Sequence, residues 1–139
     1  MADSDPYELA YQIDRLMRRM NAGLEARAPL FDKDRIGPIG GMVLLTLAEI
    51  QPVPMQRIVE VMARDKAQIS RTLAMLERRE LVAKSANKAD ARSSLLALTD
   101  KGDDFVEHIK ATLDTVLSGV LEPLSAEEQA QLLALLAKT

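Results

Sequence analysis

The chain has no cysteine, and Tyr7, Tyr11, Phe31 and Phe105 are its only aromatic residues. Without thiols it cannot be a disulfide scaffold, hold a thiolate zinc site or sense redox state through cysteine. With so few rings the core has to be aliphatic, helped by a methionine set (Met17, Met20, Met42, Met55, Met62, Met75) that reads as mostly core. No apolar run approaches the ~20 residues that span a bilayer. The start, MADSDPYELA, is acidic and unlike a signal peptide. A soluble cytoplasmic protein with no membrane partner is expected.

Catalytic signatures are also scarce. There is no nucleophile elbow, phosphate loop or paired-histidine motif, so the chain is not expected to be an enzyme. The lone histidine, His108, stands near Asp104 and Glu107 in a helical pattern and reads as part of a solvated face. The stretch DKDRIG, Asp32 to Gly37, imitates the start of a calcium loop. It puts Ile36 at the fifth position and Val43 at the twelfth, where oxygen ligands are needed, so it reads as a connection. Neither a metal nor a cofactor is expected.

What remains is a chain of 139 residues, 47% apolar and 28% charged, enough for one domain with an oligomerisation element. Its net charge is −3 but unevenly spread: Arg64 to Arg92 holds eight basic and four acidic residues, a local +4 that leaves −7 elsewhere. Local sign matters more than the total for steering a polyanion.

Ala10, Ile13, Met17, Met20 and Leu24 recur at alternating spacings of three and four, a narrow seam that needs a partner helix. Pro29, Gly37, Pro38, Gly40 and Gly41 predict a connection before a buried helix over Met42–Ile50. Pro54 suits the first turn of a short third helix. Asp65 is a candidate N-cap for a fourth helix over Lys66–Arg79, whose inner face is Ile69, Leu73 and Leu76. Two short helices around a tight turn predict a helix-turn-helix. LVAKS and SLLALT then read as a hairpin around a charged tip, which makes a winged helix. Thr99 should cap a long helix ended by Pro123, and Ser125 with Glu128 is a capping box for a leucine-rich last helix.

The run from Asp65 to Gly102 resembles the MarR family of bacterial winged-helix transcriptional regulators. The resemblance rests on ISRTLAMLERRELV, on Asp90-Ala91-Arg92 in the wing, and on LTDKG. Glu80 departs from it, standing where the family usually has a glycine that eases the helix C-terminus. The resemblance implies a mainly α fold with a small β-hairpin wing. A winged helix-turn-helix domain (37–99) would be flanked by an N-terminal dimerisation helix and connection (1–36) and by C-terminal dimerisation helices (100–139). It further implies a homodimer on a pseudo-palindromic operator in double-stranded DNA, acting as a repressor and released by a small aromatic or anionic effector. In the family the wing arginine, here Arg92, enters the minor groove, and the aspartate, here Asp90, holds the loop.

Lys66, Gln68, Ser70 and Arg71 fall in the first turns of the fourth helix, the part that can reach base edges and phosphates. Arg can grip guanine and Gln adenine, each good pair giving ~1–3 kcal/mol of discrimination. Lys88 and Arg92 would supply phosphate or minor-groove attraction. The predicted DNA-binding residues are therefore Lys66, Gln68, Ser70, Arg71, Lys88, Asp90 and Arg92. Arg78 and Arg79 are ambiguous, because cations favour a helix C-terminus on their own account. The competing reading is a winged-helix protein-interaction module that has lost DNA binding, to which the net −3 and Glu80 lend weight.

Overall fold

The computed structural model describes residues 5–139, and these form six helices and one antiparallel hairpin. In order they are α1 (Pro6–Phe31), α2 (Gly37–Ile50), α3 (Met55–Met62), α4 (Lys66–Arg78), β1 (Val82–Ala86), β2 (Ser94–Leu98), α5 (Asp100–Val120) and α6 (Ala126–Leu136). The mainly α class with a hairpin wing is the one the sequence predicts. The chain divides into two compact units, one of residues 28–110 and one combining 1–27 with 111–139.

In the unit of residues 28–110, α2 is the central helix. Val43, Leu44 and Leu47 on α2 are fully buried, as are Ile58 of α3, Ile69 and Leu76 of α4, and Leu81. Each such aliphatic side chain gains ~1.5–3 kcal/mol from leaving water. Among the described residues no polar or charged side chain is buried, so this core has no internal charge to compensate.

Two helix boundaries differ from the sequence expectation. α1 does not stop before Pro29 but continues to Phe31. A proline this close to the end removes only the bond to the carbonyl four residues earlier, and Asp32 N–H still reaches Ala28 C=O at 2.7 Å. Helix α2 begins at Gly37, not near Met42, despite three glycines in its first turns. The Asp32 carboxylate accepts from Ile36 N–H at 2.7 Å and Gly37 N–H at 3.0 Å, and Pro38 has no donor to satisfy. Local propensity loses here to an end cap and to burial. Both carboxylate oxygens of Asp32, the first residue of the calcium-like DKDRIG stretch, are thus engaged by backbone.

Pro54 and Asp65 also stand slightly apart from expectation. Pro54 is the N-cap of α3 and lies just outside the helix. Asp65 is the N-cap of α4 by position, but its side chain makes no capping hydrogen bond. Val53, just before Pro54, exchanges two backbone bonds with Leu96, so β2 is flanked by β1 on one side and this single residue on the other. The Gln51 side chain accepts from Leu98 N–H at 2.7 Å on the same edge.

In the other unit, the Ser125–Glu128 capping box forms as the sequence predicts. Gln129 Nε2 donates to the carbonyls of Leu121 and Leu124, both at 3.2 Å, which closes the turn between α5 and α6. A Cβ at Gly23 would come within 2.6 Å of a Val116 methyl, so α1 approaches α5 there through the missing side chain. Neither α1 nor α6 has a buried residue. Tyr7, Leu9, Tyr11, Ile13 and Met17 lie exposed on the first, Leu133, Leu135 and Leu136 on the last. Of the methionine set, Met20, Met55, Met62 and Met75 are half-buried and Met17 and Met42 exposed, so these side chains line the margin of the core and the mostly-core expectation is corrected.

Candidate nucleic-acid interface

Helix α4 turns Ile69, Leu73 and Leu76 inward. That choice leaves Lys66, Ala67, Ser70, Arg71, Ala74 and Arg78 exposed on its outer side. Gln68 is half-buried, and its carbonyl accepts from the Thr72 hydroxyl at 2.8 Å. The side chains of Lys66, Arg71 and Arg78 have no carboxylate within ion-pairing distance among the described residues. Lys84, on β1, is different: its ammonium lies 3.4 Å from Glu77 on α4 and joins the wing strand to the helix.

The wing pairs β1 with β2 from Val82↔Leu98 to Ala86↔Ser94. Its tip is built by two side chains that copy backbone turns. Asn87 Oδ1 accepts from Ala89 N–H at 3.1 Å, and Asp90 Oδ1 accepts from Arg92 N–H at 2.9 Å. Asn87 Nδ2 also donates to Ser93 Oγ at 3.0 Å, closing the base of the tip. Asp90 is therefore bonded to the backbone of Arg92, and no ion pair joins the two side chains. Lys88, Asp90 and Arg92 are all exposed. Sequence reasoning passed over Asn87 and Ser93; the sign was Asn87 and Asp90 at three-residue spacing, each able to bond two residues onward.

The end of α4 accounts for the LTDKG stretch and for Glu80. Glu80 has φ of 62°, the left-handed region that favours glycine. Leu81 N–H bonds Leu76 C=O at 2.9 Å and Glu80 N–H bonds Glu77 C=O at 3.0 Å, which together make a Schellman ending. The glutamate adopts the glycine conformation without disturbing the helix end. Thr99 donates its hydroxyl proton to Glu80 C=O at 2.6 Å and accepts from Gly102 N–H at 3.0 Å, capping α5 as predicted. A Cβ at Gly102 would collide with the Leu81 carbonyl oxygen, so glycine is what lets α5 start against the end of α4.

Residues 41–94 match the sequence model of the MarR family. The winged helix of this chain is similar to the MarR family. The MarR-type segment runs from α2 through the wing and contains every predicted site residue. Solved structures extend the likeness over nearly the whole chain. A probable transcriptional regulator from Pseudomonas aeruginosa is 27% identical, with 93% of this chain and 94% of that one covered and a TM-score of 0.73. A mutant MarR from E. coli, complexed with operator DNA, is 23% identical over 97% of this chain and 98% of that one, at a TM-score of 0.76. Bordetella bronchiseptica BpsR, whose DNA binding is regulated by 6-hydroxynicotinic acid, is 23% identical over 94% of this chain and 97% of that one, at 0.73.

Proposed function

We propose that the chain is a DNA-binding transcriptional regulator that acts as a homodimer on a pseudo-palindromic operator. The observation that carries this reading is the set of exposed cations on α4 and the wing without ion-pair partners among the described residues, namely Lys66, Arg71, Lys88 and Arg92. Elsewhere in the same unit, lysines with a packing task are paired, as Lys84 with Glu77 and Lys101 with Asp34. Leaving guanidinium and ammonium groups unneutralised on a helix and the wing that follows it favours a polyanion as partner. Helix α4 is the recognition helix in this reading. Lys66, Gln68, Ser70 and Arg71 face base edges and phosphates at its start, and Arg92 and Lys88 reach the flanking groove, with Asp90 holding the tip. The E. coli MarR likeness bound to operator DNA supports that mode of contact.

The exposed apolar residues of α1 and α6 would supply the dimerising surfaces, and two winged helices would engage half-sites about one helical turn, roughly 10 bp, apart. Repression released by a small aromatic or anionic effector is the regulatory reading, in line with BpsR and 6-hydroxynicotinic acid. Such a molecule acts only by differential affinity for the DNA-competent and DNA-incompetent dimers. Among the described residues no helix is long and apolar enough to cross a membrane, and no enzymatic role is proposed.

The test is binding of the purified protein to fragments of its own genome at two salt concentrations. The expected outcome is a discrete set of sites whose affinity falls steeply with salt. Arg71→Ala and Arg92→Ala should each weaken binding and leave the dimer intact, with Arg92→Ala lowering the salt slope by about 1. Unchanged affinity in both variants would instead support a winged helix that binds protein.

A further inference from the structure

The last carbonyls of the recognition helix are held from outside it, and one of the holding groups is a lysine. Lys101 Nζ donates to Arg79 C=O at 2.9 Å and lies 3.3 Å from Asp34 Oδ2. Arg79 is the C-cap of α4, Lys101 is the second residue of α5, and Asp34 lies in the connection between α1 and α2. One ammonium therefore ties three separate parts of the same unit at the point where α4 ends. The neighbouring carbonyl, that of Glu80, is taken by the Thr99 hydroxyl, and Leu81 C=O by Thr99 N–H at 3.1 Å. A cation at a helix C-terminus is favourable in itself. Here it is also committed, since its protons go to a main-chain oxygen and a carboxylate.

We propose that Lys101 is a positioning residue for DNA recognition, seating the recognition helix by its C-terminal carbonyl and not by touching DNA. The proposal rests on the DNA-binding reading above. Helix α4 is 13 residues long, a rod of roughly 20 Å at 1.5 Å per residue. A tilt of about 5° displaces one end relative to the other by roughly 1.7 Å, several times the tolerance of a base-edge hydrogen bond. Lys101 is a surface cation beside a DNA-binding face, so its direct alternative is a phosphate contact. The two roles differ in what salt does to them.

Operator and non-specific DNA affinity would be measured across a salt series for Lys101→Met, Lys101→Arg and the wild type, all shown folded by circular dichroism. Lys101→Met should lose roughly tenfold in operator affinity, the size expected when one base contact leaves its geometry. Its non-specific affinity and salt slope should stay at the wild-type values. Lys101→Arg, whose guanidinium can reach the same two oxygens, should recover most of the loss. A slope reduced by about 1 in Lys101→Met would mark a phosphate contact and overturn the proposal. Unchanged operator affinity would overturn it too.

A wild type that binds no DNA would defeat the reading it rests on. Amide hydrogen exchange then decides the seating alone. Faster exchange at Glu80 and Leu81 in Lys101→Met upholds it, and unchanged exchange removes it.

Discussion

Glu80 is the residue at which composition and conformation disagree most openly. An L-residue in the left-handed region costs about 1–2 kcal/mol, against which Glu80 C=O accepts from the Thr99 hydroxyl and Glu80 N–H donates to Glu77 C=O. Glycine would relieve that strain but give back roughly 0.5–1 kcal/mol through the greater freedom of the unfolded chain. Glu80→Gly should therefore stabilise the protein by about 0.5–1 kcal/mol. It would appear in urea unfolding as a higher midpoint with an unchanged slope. A lower midpoint would mean that the exposed carboxylate has a stabilising partner. The same exchange removes an acid next to α4, so, with α4 read as the recognition helix, a tighter complex with DNA would follow from charge alone.

Among the elements, α4 carries the two tasks that the sequence assigns to opposite sides of one helix. Its inner residues are anchored: Leu76 is fully buried and, as the third residue from the end, stands beside Leu81 in the Schellman ending. Leu76→Ala should cost ~2–5 kcal/mol, since both transfer and cavity terms apply. Arg78→Ala, on the exposed side two residues later, should change stability by less than about 0.5 kcal/mol. Equilibrium unfolding of the two variants separates the faces. Comparable losses in both would mean that Arg78 has a structural partner. The wing is arranged on a different principle, because its tip has no apolar anchor. Its order comes from the Asn87 and Asp90 bonds to backbone, which turn a polar loop into a fixed support for Lys88 and Arg92.

For the molecule as a whole, the unsatisfied feature is apolar surface. Ile13 is 52% exposed and Leu133 70% exposed, both within the unit that combines the two ends of the chain. Exposed apolar side chains gathered into a patch mark interaction surfaces on soluble proteins. The double variant Ile13→Glu with Leu133→Glu should sediment as a monomer in analytical ultracentrifugation. Its operator affinity should then drop by roughly two orders of magnitude, because the second half-site is no longer delivered at high effective concentration. A variant that remains dimeric would place the interface elsewhere.

The sequence by itself determined the element order, the inner face of α4, the hairpin wing and the two capped C-terminal helices. Those are readable because they depend on periodicity and on cap residues, both local in the chain. It also marked Lys66, Arg71, Lys88 and Arg92 as cations in one basic stretch. Only the tertiary structure decided which of the charges are paired. Lys84 and Lys101 look no different from Lys66 in the sequence, yet the first two are drawn to Glu77 and Asp34.

The same holds for backbone whose partner is remote. Val53 forms a β-bridge because Leu96 is there to bond it, and α2 begins at Gly37 because Asp32 folds back onto its amides. Glu80 can hold a glycine conformation because the Schellman bonds fix it and Thr99 reaches its carbonyl from the next helix. Distance along the chain hides such partners, and folding brings them within hydrogen-bond reach.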